Sequence, residues 1–304
     1  MSSCHGGFRP HVKITWKWVF TALLLVVGLS GQRWLVLRGP RFWERWPDPV
    51  GEFGPWHPIV AGLDYSRANL RAPRPIKAHA LRIDLLNERL ELVVNPTRES
   101  EQGWVRSAFP SSWLRSLEAL ACINATPFSP EAIFPGTRVR LEGLAVAGGL
   151  TWAEKQHNLD ALILRSDGQF RFLQGTQNDA TAFIGVGGFL VTLRSGQNLG
   201  ENSPQDAATV VGLSADRRWM LWLVVDGGQP GYSEGATPKE TAELIRQLGA
   251  ADAINLDGGS STTLVTGGSW TGAMVRNRPR HPAYAGMQRP VGNVLAVRLR
   301  KASE

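Results

Sequence analysis

A chain of 304 residues, 43% of them hydrophobic, is long enough to bury a substantial core in one large or two ordinary domains. Its formal charge of +7 is unevenly placed: residues 1–46 carry Arg9, Lys13, Lys17, Arg33, Arg38, Arg41 and Arg45 against Glu44 alone, which accounts for +6 of it. The remainder is close to neutral and shows no basic stripe, so nucleic acid is not an expected partner.

Residues 1–17 form a basic lead. Trp18 to Gly31 is almost wholly apolar, and Trp34-Leu35-Val36-Leu37 extends it, so residues 18–37 are expected to direct export, either as a signal cleaved near Gly28 and Ser30 or, in the favoured reading, as a membrane anchor. The domain would then lie outside the cytoplasm, in the periplasm or beyond. Residues 38–58, rich in Pro, Gly and Trp, suit a linker at the membrane interface, and residues 59–301 are expected to form a single domain. Cys4 precedes the apolar run and Cys122 lies within the domain, which leaves the domain no internal disulfide; Cys122 reads as a small buried hydrophobe. The six histidines are scattered without ligand spacing, which argues against zinc, and no motif calls for a cofactor.

Alternation at Ala78–Asp84 and Arg89–Val94 around Leu86-Asn87-Glu88 predicts a hairpin. Phe109–Leu120 predicts a helix capped by Ser111 or Ser112, and Ala121–Asn124 a short strand delivering Asn124. Leu159–Leu164 and Gln169–Leu173 flank an Asp-Gly turn and predict a second hairpin. Phe183–Leu193 reads as strand and turn, and Val291–Leu299 as a closing strand.

The most informative stretch runs from Trp219 to Val265. Trp219–Val225 is an apolar run of the kind buried on both faces, and Ala253–Leu256 is a second strand. Between them, Thr237-Pro238-Lys239-Glu240 spells a capping box with Pro at the first helical position. Ala242, Leu244, Ile245 and Leu248 supply the apolar stripe, and Gly249 a left-handed end. The fold class is therefore α+β, a mixed sheet that includes one βαβ unit. Both strands run into Asp-Gly-Gly, so Asp226 and Asp257 emerge on the same sheet edge, where ligands bind in open α/β sheets. If the two strands are direct neighbours, about 4.8 Å apart, the carboxylates approach within about 5–6 Å, the spacing of retaining glycosidases.

Asn124-Ala125-Thr126-Pro127-Phe128, the segment from Leu213 to Gly235, Asn255-Leu256-Asp257-Gly258-Gly259-Ser260-Ser261-Thr262 and Gln288-Arg289-Pro290-Val291-Gly292-Asn293 together resemble the phosphodiester glycosidase family. The resemblance implies hydrolysis of the bond between an anomeric carbon and a phosphodiester oxygen, in a sugar-1-phosphodiester or a related cell-envelope or exopolysaccharide glycan. It implies that Asp226 and Asp257 share the acid and base or nucleophile roles, in either order. Gly227, Gly258 and Gly259 would bring backbone N–H groups to a phosphate, Arg289 would pair with it, and Asn124, Ser261 and Thr262 would hold the sugar. Glu142 and Glu234 are weaker acid/base candidates.

The chain departs from the family pattern in four places. Asn-Gly-Gly-Phe-Phe is here Asn124-Ala125-Thr126-Pro127-Phe128, Asp-Gly-Arg is Asp226-Gly227-Gly228, the Arg of Arg-Thr-Ala-x-Gly is Ala208, and the third Gly of Asp-Gly-Gly-Gly-Ser is Ser260. Two arginines are thus missing, so either the substrate differs from the family's or other groups, Arg138, Arg140 or Arg276, replace them. Two other readings stand beside hydrolysis of a glycan: a non-catalytic glycan-binding protein, and a phosphoesterase in which Asp226 and Asp257 hold Mg²⁺ or Ca²⁺.

Overall fold

The computed structural model describes residues 52–95, 102–268, 272–284 and 286–301; the expectations for residues 1–51 lie outside them. Among the described residues no helix is long and apolar enough to cross a membrane.

Trp219–Val225 lies inside an eight-stranded sheet, between Ile76–Asp84 on one side and Ala208–Leu213 on the other. Its unbroken apolar run reflects burial of both faces. Met220, Trp222 and Val224 pack with Leu81, Ile123 and Leu295 in the core shared with a five-stranded sheet. Leu221, Leu223 and Val225 face Leu244 and Ile245 of the Pro238–Gln247 helix. That helix starts where the sequence places it: Glu240 N–H donates to Thr237 Oγ1 and Thr237 N–H to Glu240 Oε2, the full capping box.

The five-stranded sheet runs in the order Gly272–Val275, Leu264–Gly268, Ala119–Asn124, Val294–Leu299, Leu90–Val94. A second five-stranded sheet and a three-stranded one complete the layers. The described residues thus form a sheet-rich domain with few helices.

Several expectations are corrected. Every ladder among the described residues is antiparallel, so the sheet is not mixed. Trp219–Val225 and Asp252–Asn255 are parallel to each other but not adjacent, because Ala208–Leu213 lies between them and pairs with both. The short connection at Ser214–Arg218 makes Ala208–Leu213 and Trp219–Val225 a hairpin, and that local pairing takes the position a directly neighbouring crossover strand would need. Two strand spacings, about 9.6 Å, thus separate the two strands, which removes the basis for a 5–6 Å carboxylate pair.

The turn at Asp84–Leu90 forms, yet its flanking strands do not pair: Ile76–Asp84 joins the large sheet and Leu90–Val94 pairs with Val294–Leu299. Phe109–Leu120 is helical only over Pro110–Ser116, and neither Ser111 nor Ser112 caps it. Instead, the Ser111 N–H donates to Gln288 Oε1 at 2.9 Å, so a distant side chain satisfies a free helix-end amide. Phe183–Leu193 divides into Ala182–Gly188 and Leu190–Arg194, which belong to different sheets. The Asp160–Arg165 and Phe170–Leu173 hairpin and the Ala119–Asn124 strand form as predicted, and Cys122 is buried.

Thr237→Ala removes half of the reciprocal cap and is expected to cost about 1 kcal/mol, read as a lower urea midpoint with unchanged slope, while Thr237→Ser keeps the stability. An unchanged midpoint for Thr237→Ala would show that the tertiary contacts alone fix the helix start.

Candidate active site

Strand ends from two sheets converge at one edge of the large sheet. The Asp252–Asn255 strand runs on through Leu256 to Asp257, and Ala119–Asn124 ends on Asn124 beside it. Asn124 is fully buried, and both the oxygen and the nitrogen of its amide bond to neighbouring segments. Its Nδ2 donates to the Asp257 carbonyl at 2.6 Å, and its Oδ1 accepts from Thr209 Oγ1 at 2.7 Å and Thr263 N–H at 3.1 Å. In this arrangement Asn124 fixes the backbone of Asp257.

Asp257 is at the wall of an open basin of about 620 Å³, together with Asp206, Gly258, Gly259, Ser260, Arg280 and Arg289, and with Phe189 and Leu190 at its apolar side. Loss of water around the Asp257 carboxyl raises its pKa to about 6; Glu142 adds to the rise, while the Ser261 hydroxyl, the Arg289 guanidinium and the Gly258 N–H oppose it. Arg289 is buried, stacks over Phe128 at 4.9 Å and donates to Ser260 Oγ at 2.7 Å, with Glu131 at 3.5 Å. A larger cleft of about 770 Å³, walled by Leu86, Phe170 and Phe183, opens where Asp84 ends its strand, away from these groups.

The glycines of the two Asp-Gly-Gly turns lie where backbone segments pass close together. Gly259 N–H donates to Ala207 O at 2.8 Å, so it does not face a phosphate. A Cβ on Gly258 would stand 2.8 Å from that same oxygen, and one on Gly227 would stand 2.1 Å from Ala207 N. Gly227 and Gly258 let the Asp206–Ala207 segment pass between the two strand ends. Ser261 and Thr262 are buried rather than open to the basin, which Ser260 of the same turn lines.

Asp226 is 1% exposed and does not line the basin. Its Oδ1 accepts from Asn277 Nδ2 at 3.0 Å and from Arg278 N–H at 2.9 Å, its Oδ2 from Tyr232 O–H at 3.3 Å. His79 Nε2 lies 3.7 Å away, and His79 Nδ1 meets Tyr65 Oη at 2.7 Å. Of the arginines expected to replace the missing pair, Arg138 stacks on Trp104 and Arg276 on Tyr65, and Arg138, Arg140 and Arg276 are all absent from the basin wall. Glu234 belongs to the turn that accepts from Gly228 N–H.

Sequence reasoning missed Tyr65, His79, Asp206, Asn277 and Arg280. One signal was readable: His79 shares the strand face of Leu81 and Ile83, a polar residue in apolar register. Asp206 and Arg280 lie in irregular segments with no periodicity to read. Among the described residues no three His, Cys, Asp or Glu side chains group as a metal site would.

A carboxyl held near neutrality in a basin, with a buried cation beside it, is the equipment of a hydrolase. The pattern of the phosphodiester glycosidase family matches residues 123–298, and the chain belongs to that family, as its motifs led one to expect. Its fold is similar to that of a hypothetical protein from Synechocystis, with a TM-score of 0.55 and 15% identity, over 81% of this chain and 64% of that one. It is also similar to the zebrafish N-acetylglucosamine-1-phosphodiester alpha-N-acetylglucosaminidase catalytic domain, auto-inhibited by its pro-peptide, with a TM-score of 0.61 and 17% identity over 82% of this chain and 88% of that one. No curated protein matches the chain.

Because the Asp257 pKa in the folded state lies above the ordinary 3.8, its ionisation opposes folding. The penalty is absent below about pH 4, grows between about pH 4 and 6, and reaches on the order of 3 kcal/mol above that. Asp257→Asn is therefore expected to raise the thermal midpoint by several degrees at about pH 8 and to leave it unchanged at about pH 4. Equal midpoints at both pH values would show that the carboxyl is hydrated in the folded protein.

Proposed function

We propose that this protein is an exported glycosidase that hydrolyses a sugar-1-phosphodiester or a related cell-envelope or exopolysaccharide glycan, with Asp257 as the proton donor to the leaving oxygen. The observation that carries this reading is the position of Asp257 at the basin wall beside Arg289 with its pKa raised to about 6, which leaves about half of the carboxyl protonated at about pH 6 rather than almost none. Glu142, whose charge adds the smallest share to the rise at Asp257, is the candidate for the second carboxyl of the reaction. Asp226, closed off from the basin and saturated with donors, positions the segment at Asn277–Arg278 rather than touching substrate. Arg289 holds the phosphate side of the scissile bond.

Hydrolysis of a panel of sugar-1-phosphodiesters by the full-length protein tests this. Asp257→Asn is expected to lower kcat/KM by about a thousandfold, Glu142→Gln by at least about a hundredfold, and wild-type activity to fall as pH rises above about 6. Full activity of Asp257→Asn sinks the assignment. Glycan binding without turnover in the wild type would turn the reading into one of recognition alone.

The basic lead and the apolar segment 18–37 support export with the chain held at the membrane and its domain outside the cytoplasm. After alkaline carbonate washing the full-length protein is expected in the membrane pellet. Its recovery in the wash would mean that the segment does not anchor it.

A further inference from the structure

Gly228 has φ of 61°, and a Cβ at that position would stand 1.8 Å from Arg280 Nη1 and 2.7 Å from its Cζ. Arg280 therefore crosses the face of Gly228 through the volume that any other residue there would fill. From that crossing its guanidinium reaches Asp206 at 3.2 Å and lies along the Gly259 side of the basin. Arg289 approaches the same Gly258–Ser260 turn through its bond to Ser260 Oγ. Two guanidinium groups thus meet at one turn, next to Asp257.

They are held differently. Arg289 is buried, with hydrogen bonds to Ser260 Oγ and to the Ala132 carbonyl. The Arg280 side chain is 39% exposed, and its partner Asp206 is 48% exposed. A solvent-screened pair of this kind is weak, so it yields to a stronger anion, and the remaining N–H donors of Arg280 can then bond one. The backbone beneath is fixed, because Arg278 N–H donates to the buried Asp226 carboxylate and Arg278 O accepts from Gln229 Nε2 at 2.8 Å.

We propose that Arg280, routed across Gly228, is a substrate-binding residue that grips a phosphate group of the substrate against the Gly258–Ser260 turn, with Arg289 as the second cation. The proposal rests on the reading of this site as that of a phosphodiester glycosidase. It makes Gly228 a specificity position by virtue of its missing side chain. A planar guanidinium fork matches phosphate oxygens two at a time, which a lysine does not do.

Calorimetric titration of the full-length protein with inorganic phosphate and with glucose 1-phosphate tests this without relying on turnover. Arg280→Ala is expected to weaken binding by about ten- to a hundredfold, and Arg280→Lys by an intermediate factor. Gly228→Ser keeps Arg280 in the chain but displaces its guanidinium, so it is expected to weaken binding as much as Arg280→Ala does. The double variant is expected to be no worse than either single one, since both remove one interaction. Circular dichroism confirms the fold of each variant, and Arg280→Ala with Arg280→Lys decides the matter if Gly228→Ser does not fold. Unchanged phosphate binding in Arg280→Ala, losses that multiply in the double variant, or a wild type that binds neither probe would overturn the proposal. Phosphate binding that follows Arg280 in a protein that hydrolyses no sugar phosphodiester would uphold the anion site and reject the glycosidase reading.

Discussion

The Asn124 amide is the joint on which the site depends. It bonds the carbonyl of Asp257, the hydroxyl of Thr209 and the backbone of Thr263, groups that belong to different strands of two sheets. With no exposure to solvent, none of these bonds has water as a substitute, so loss of any partner leaves a buried polar atom unpaired. The joint fixes where Asp257 leaves its strand, and through Asp257 it fixes the turn at Gly258–Ser261 and the guanidinium that rests on Ser260.

A second constraint acts on the other side of Asp257. The Asp206–Ala207 segment passes so close to Gly227 and Gly258 that a methyl group at either position would collide with its backbone. This close passage draws the two strand ends together around an intervening strand and brings Asp206 to the basin wall. The glycines that resemble a phosphate cradle in sequence are thus the means by which three backbone segments share one small volume.

Keeping a carboxyl in such a place works against stability. Removal of water from Asp257 raises its pKa to about 6, and the Arg289 charge and Ser261 hydroxyl only partly offset the effect. Asp226 is placed differently: it is buried away from the basin and accepts hydrogen bonds from Asn277, Arg278 and Tyr232. Two aspartates in the same Asp-Gly-Gly setting thus differ in placement, one enclosed by donors and the other at the basin wall.

The sequence by itself determined the local elements. The capping box at Thr237–Glu240, the doubly buried run at Trp219–Val225, the Asp-Gly hairpin and the family motifs rest on contacts between residues close in the chain or on apolar periodicity, and both are written locally. Only the tertiary structure decided which strands are neighbours. The placement of Ala208–Leu213 between the two Asp-Gly-Gly strands, and the separation of Ile76–Asp84 from Leu90–Val94, depend on competition among strands distant in sequence. It also decided which polar groups meet water. Asn124, Ser261 and Thr262 read as ligand-binding residues yet are enclosed, while Asp206 and Arg280, in segments without pattern, reach the basin. Burial and charge pairing are properties of the assembled surface, and no spacing within the chain encodes them.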